Sequence, residues 1–122
     1  MADNVISRFF ELGAKEDLDG AFACFAEDGV WNLPESDGNG PGTALEKQAI
    51  RDHIEKMNDL SKQVTEQGLE GVFEEPVFLV NGEQAIVEWS LRKIGGDVIE
   101  RGIDLFTLRD GKILVKDVFR KA

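Results

Sequence analysis

Three two-residue turn signals, Asn81-Gly82, Gly95-Gly96 and Asp110-Gly111, punctuate the second half of the chain and constrain its fold more than any other feature. Such dipeptides tolerate the positive φ that a tight hairpin turn requires, so each joins two antiparallel neighbours without a crossover. They predict a four-stranded meander, with strands near 72–80, 83–94, 97–109 and 112–120. Upstream, the apolar period lengthens toward 3.6 residues. Val5, Ile6, Phe9, Phe10 and Leu12 predict a helix over 3–13, with Asp3 or Asn4 as N-cap. Leu18, Ala21, Phe22 and Phe25 predict a short second helix antiparallel to the first, and Ile50, His53, Ile54 and Met57 predict a third over about 46–58. Residues 29–33 read as a short strand stopped by Pro34. Residues 35–45, dense in Gly, Asp, Ser and Pro, read as a mobile loop, either a lid or a plain connector, and 59–71 as a polar lead into the meander. Helices first and a meander last predict an α+β domain, helices on one face of a curved antiparallel sheet.

At 122 residues and 13.5 kDa the chain fits one domain, 1–122. Its 24 Asp and Glu against 14 Lys and Arg give a net charge of -10, which repels a phosphate backbone, so nucleic acid is not an expected partner. One histidine, one cysteine and no tyrosine exclude a metal site of several His or Cys ligands and any disulfide framework. No apolar run of membrane-spanning length and no basic, apolar signal is present, and a lone thiol suits a reducing compartment. The expectation is a soluble cytoplasmic protein with no membrane partner, in which Cys24 is a small buried hydrophobe.

Turn register then selects particular residues. A two-residue Asp110-Gly111 turn pairs Arg109 with Lys112 and places Asp104 directly opposite Asp117, with Gly102 opposite Phe119, Phe106 opposite Val115 and Leu108 opposite Ile113 on the same apolar face. The Gly95-Gly96 turn independently sets Val87 opposite Asp104, Trp89 opposite Gly102 and Ala85 opposite Phe106. Phe9, Trp31 and His53 close this face from the helical side, giving an apolar pocket with a polar floor. Facing carboxyls in an apolar site leave at least one protonated near neutral pH, and an acid beside a base suits proton transfer. The alternative is a structural pair, bonded to each other, to Arg101, Lys116 or Arg120, or to water. His53 is likewise either a satisfied core residue or a hydrogen-bond partner for an aspartate, and Trp31 and Trp89 are either core or ligand platforms. On the outer face Ile86, Ile103, Leu105, Leu114 and Val118 are too apolar for water, which predicts a homodimer through that face.

Three segments, RFFELGAKEDLDGAFACFAEDGVWNLP, KQAIRDHIEKM and ERGIDLFTLRDGKILVKDVFRK, give the chain a wider likeness. Together they resemble the SnoaL-like and ketosteroid-isomerase-like branch of the nuclear transport factor 2 superfamily over nearly the whole length. The resemblance implies a cone: three helices packed on a strongly curved sheet, with the ligand cavity inside. It implies that Asp104, in an I-D-x-F segment, matches the hydrogen-bonding aspartate of ketosteroid isomerases, whereas their base and tyrosine positions hold Leu33 and Phe9. Asp117, within VKDVF, is similar to the final aspartate of limonene epoxide hydrolases, whose R-x-D pair falls on Trp89 and Leu91. SnoaL-type polyketide cyclases also rely on one aspartate of the last strands, which makes Asp117 the inherited candidate. The expected function is a cofactor-independent acid-base enzyme of isomerase, cyclase or lyase type, acting on a small apolar carbonyl or polyketide-like substrate. Asp117 would shuttle the proton, Asp104 would polarise the carbonyl, and His53 and Asn32 would orient groups. Phe9, Trp31, Asn32, Val87, Trp89, Phe106, Val115 and Phe119 would line the pocket, with no metal and no cofactor. The alternative is a non-catalytic ligand-binding or dimerisation module of the same fold.

Overall fold

The computed structural model describes residues 4–34 and 43–121. Two short helices open the chain, α1 (Val5–Ala14) and α2 (Leu18–Ala23). Asn4 caps α1, its side chain accepting from Ser7 N–H at 2.8 Å, and Asp17 caps α2 by accepting from Gly20 N–H at 3.0 Å. Each cap satisfies a backbone donor that the first turn leaves unpaired. Asn4→Ala is expected to lower stability by about 1 kcal/mol, read by urea denaturation. The apolar side of α1 buries Val5, Ile6 and Phe9. Cys24, at the end of α2, is buried as expected, and that burial pushes its thiol pKa above the ordinary value.

The third helix, α3 (Gln48–Glu66), starts two residues later than the expected 46–58 and ends about two turns beyond it. Leu60 and Val64 continue the stripe from Met57, and no Gly or Pro interrupts residues 59–66. The helix stops where Gly68 takes a positive φ of 77°. Ile50 and Ile54 are its buried residues, and His53 beside them is half-buried.

Among the described residues seven strands form one sheet: β1 (Phe25–Leu33), β2 (Thr43–Glu46), β3 (Leu69–Phe73), β4 (Val77–Phe78), β5 (Gln84–Lys93), β6 (Val98–Arg109) and β7 (Lys112–Arg120). Their order is β2-β1-β7-β6-β5-β3, with β4 also on β5. The α+β class and the helices-then-meander order match the expectation, but the sheet is mixed. β1, longer than predicted, runs parallel to β7 and brings Trp31 beside Lys116. The first meander strand is split into β3 and β4 around Pro76, where a missing N–H interrupts the ladder. Part of the expected 35–45 loop is strand β2, which pairs Leu45 with Trp31. The remainder of that loop lies outside the described residues.

The register of β5 on β6 is as predicted through Leu91: Val87 faces Asp104, Trp89 faces Gly102 and Ala85 faces Phe106; beyond it Arg92 pairs with Val98, so the loop at Gly95-Gly96 is not the two-residue turn expected. That of β6 on β7 is not. Arg109 pairs with Lys112 and Leu108 with Ile113, but Thr107 then pairs with Val115, so Leu114 is an extra residue in a β-bulge. Beyond it the side chains of β7 change faces. Asp104 opposes Val118, Phe106 opposes Lys116, and Asp117 opposes Leu105 on the side away from the helices. The expected Asp104–Asp117 opposition is therefore corrected. Val115 and Phe119 also belong to the outer face, Phe119 being 47% exposed, and Val118 turns inward to pack on the core. Asn32 pairs with Asp117 in the parallel ladder and points the same way, outside the interior to which it was assigned. Gly29 permits the distortion on the β1 side: a Cβ there would lie 2.9 Å from the Ala26 carbonyl oxygen and 3.1 Å from that of Ile113.

Candidate functional site

The bulge exchanges one carboxyl for an amine. Lys116, read from sequence only as a structural partner for the acids, is 5% exposed, and its Nζ stands 3.2 Å from Oδ2 of Asp104, itself 1% exposed. The approach makes an ion pair without hydrogen-bond direction, since Oδ2 accepts from no side chain or backbone donor among the described residues. Two like charges sharing a proton are thus replaced by an acid and a base in contact. Proton sharing between two carboxyls requires the unbulged register, which β7 does not have. Burial pushes the Lys116 amine below its ordinary pKa, and the adjacent Asp104 only partly restores it.

Aromatic rings enclose this pair. Lys116 Nζ lies 4.1 Å from the centre of the Trp31 ring and 5.7 Å from that of Phe106. Such placement over a π face stabilises an ammonium that has lost its water. Trp31 stacks on Phe25, meets Phe9 edge-on at 5.9 Å and meets the His53 ring edge-on at 4.8 Å. Its indole N–H is buried and donates to no acceptor among the described residues. The site thus holds an amine able to carry or release a proton, a carboxyl that positions it, and an indole N–H in search of an acceptor.

Of the predicted site residues, the fold brings Asp104, Phe9, Trp31, Val87 and Phe106 together on the inner face, with His53 reaching the cluster through Trp31. Trp89 also faces inward but sits beside Gly102, toward the far end of the sheet. Asp117, Asn32, Val115 and Phe119 are not brought to this cluster. Lys116 was missed as a site residue because ILVKDV is apolar at consecutive positions, so alternation there cannot reveal a bulge, and an inward lysine contradicts ordinary patterning. Among the described residues no three His, Cys, Asp or Glu side chains converge as metal ligands. No described helix is long and apolar enough to cross a membrane.

The sequence matches the SnoaL-like domain over residues 6–115. The chain belongs to that family. No curated protein matches it. Solved structures do, with the same fold. A candidate polyketide cyclase from Sinorhizobium meliloti superposes with a TM-score of 0.69 at 17% identity, covering 98% of this chain and 95% of that one. A candidate isomerase of the SnoaL-like family from Agrobacterium tumefaciens gives 0.66 at 18% identity, covering 96% and 95%. A cystatin-like protein of unknown function from Methylobium petroleophilum gives 0.72 at 18% identity, covering 97% and 74%. At these identities the likeness is one of fold, and a fold does not by itself fix a function.

Proposed function

We propose that this SnoaL-like domain is a cofactor-independent proton-transfer enzyme for a small apolar carbonyl compound, of isomerase or cyclase type, with Lys116 and Asp104 as its acid-base centre. The observation that carries the reading is the buried amine with a lowered pKa, in contact with a carboxyl and over an indole ring. In its neutral form Lys116 takes a proton from the carbon next to the carbonyl. Trp31 Nε1–H donates to the oxygen on which charge develops, and the ammonium returns the proton at a second carbon or at that oxygen. Asp104 is the positioning residue, holding Nζ over Trp31. The candidate cyclase and isomerase among the structural neighbours are consistent with such chemistry.

A second reading, a binding module without chemistry, draws on the closure of the interior: Val87 and Phe106 are fully buried and Trp31 is 5% exposed. Hydrogen exchange separates the two. With 2-tetralone in D2O followed by proton NMR, the enzyme is expected to accelerate loss of the α-proton signal, and Lys116→Met to reduce the rate by about 10²-fold or more. Binding of the ketone without acceleration would favour the module.

A further inference from the structure

We propose that Phe73 is the entrance residue of the Lys116–Asp104 centre and admits flat, uncharged, apolar molecules to it. The inference rests on the proton-transfer reading for its destination, the buried pair, and adds which side chain a substrate must displace to arrive there.

The centre is closed, so some part of its wall has to move. Lys116 is 5% exposed and Asp104 1%, and Ala85, Val87 and Phe106 around them are fully buried. Ring contacts lead from solvent to the amine. Phe73, on the inner face opposite Trp89, is 52% exposed and stacks on Phe10 with ring centres 4.5 Å apart. Phe10, packed against the core, meets Phe106 edge-on at 6.0 Å, and the Phe106 ring lies 5.7 Å from Lys116 Nζ. A parallel line runs from Phe10 to Phe9 at 5.3 Å and on to Trp31 at 5.9 Å. Both lines begin at the face of Phe10, and Phe73 covers that face.

Phe73 also has room to leave it. The residue ends β3, the last strand on its side of the sheet. Residues two apart on a strand share a face, and here the earlier one is Gly71. Among the described residues a Cβ at Gly71 would have only Phe73 Cε2 within 4 Å, at 4.0 Å. The space over Gly71 is otherwise open, so a side-chain rotation uncovers Phe10. The backbone stays in place meanwhile, since Glu74 N–H donates to the Glu88 carbonyl at 2.9 Å. A flat ligand then replaces one stacked ring by another, and little aromatic contact is lost on opening. Ring faces are electronegative, and Glu74 and Glu75 follow Phe73 in a chain of net charge -10, so an anion is disfavoured at this entrance. His53, half-buried and edge-on to Trp31 at 4.8 Å, marks the rival route from α3.

The test uses the full chain carrying Trp89→Phe, in which Trp31 is the one indole, and reads quenching of its fluorescence by acrylamide, flat and neutral, and by iodide. Phe73→Ala is expected to raise acrylamide quenching at least threefold and iodide quenching less than half as much. Gly71→Val, which fills the space the ring turns into, is expected to lower acrylamide quenching. Val77→Ala, at an exposed residue paired with Ile86 on the outer face of the same edge, controls for general loosening and should change nothing. Urea unfolding confirms that each variant is folded. Unchanged acrylamide quenching in Phe73→Ala, an equal rise in Val77→Ala, or a rise in His53→Ala alone would overturn the entrance, and an equal rise with iodide would overturn its selectivity. No turnover enters these readouts. Loss of the Phe73 effect leaves proton exchange of 2-tetralone standing, whereas absence of exchange with the expected quenching leaves Phe73 as the entrance to a binding site.

Discussion

Replacing Asp104 by Leu is expected to lower stability by about 3–5 kcal/mol, and adding Lys116→Met to the same chain to recover most of that loss. The single change leaves a buried amine without its counter-charge, whereas the double change substitutes apolar volume for both members of a pair that is 1% and 5% exposed. Lys116→Met alone has a comparable cost, because it strands the carboxyl. Urea denaturation of the four proteins gives the coupling directly. pH gives the sign a second check. A lysine whose pKa is lowered by folding is penalised in full below its folded value, and the penalty is gone above the unfolded value of about 10.4. In that window the unfolded chain binds more protons, so stability rises with pH. Removing Asp104 takes away a group that raises the amine's pKa, so the window widens, and the deficit of Asp104→Leu should shrink between neutral pH and pH 10. Additive single effects with no pH dependence would mean that the two groups do not share a buried contact.

Gly102→Ala is expected to be the costliest single methyl group in the protein, at about 3 kcal/mol. A Cβ there would lie 2.1 Å from the backbone oxygen of Phe119 and 2.5 Å from Cζ2 of Trp89. The indole can swing away, but the carbonyl belongs to β7 and moves only with the strand. Trimming the ring with Trp89→Leu should therefore relieve less than half of the loss, as measured by thermal and urea unfolding. Full rescue would show that the ring, not the backbone approach, sets the limit. The glycine is thus what lets the β7 backbone at Phe119 and the Trp89 ring approach β6 so closely.

Much of this architecture was legible in the residues. The turn dipeptides gave three hairpins, and the register from Gly95-Gly96 is correct from Ala85 through Leu91. The helical stripe of α1, that of α2 as far as Phe22, and the inward placement of Asp104, Trp31 and Val87 also follow from spacing, whereas Phe25, read as the last residue of the α2 stripe, is the first residue of β1. What the sequence conceals is the extra residue at Leu114. A bulge is set by neighbours on both sides of a strand, here β6 and the parallel β1, and β1 lies some eighty residues away in the chain. A one-residue slip turns every later side chain to the other face. It moved Asp117, Val115 and Phe119 outward and Lys116 and Val118 inward, and so changed the chemistry of the site from two acids to an acid and an amine. The length of α3 was missed for a simpler reason: residues 59–66 are polar on most sides, and their helicity rests on the absence of breakers and a sparse Leu60–Val64 stripe.

The most direct test is the titration of Lys116 itself. With lysine labelled at Cε, the signal that disappears in Lys116→Met is expected to titrate below the other lysines of the protein, and to move lower still in Asp104→Asn, which keeps the shape of the side chain but removes its charge. A Lys116 signal that titrates with the surface lysines in both proteins would contradict the buried acid-base pair and the proposed function built on it.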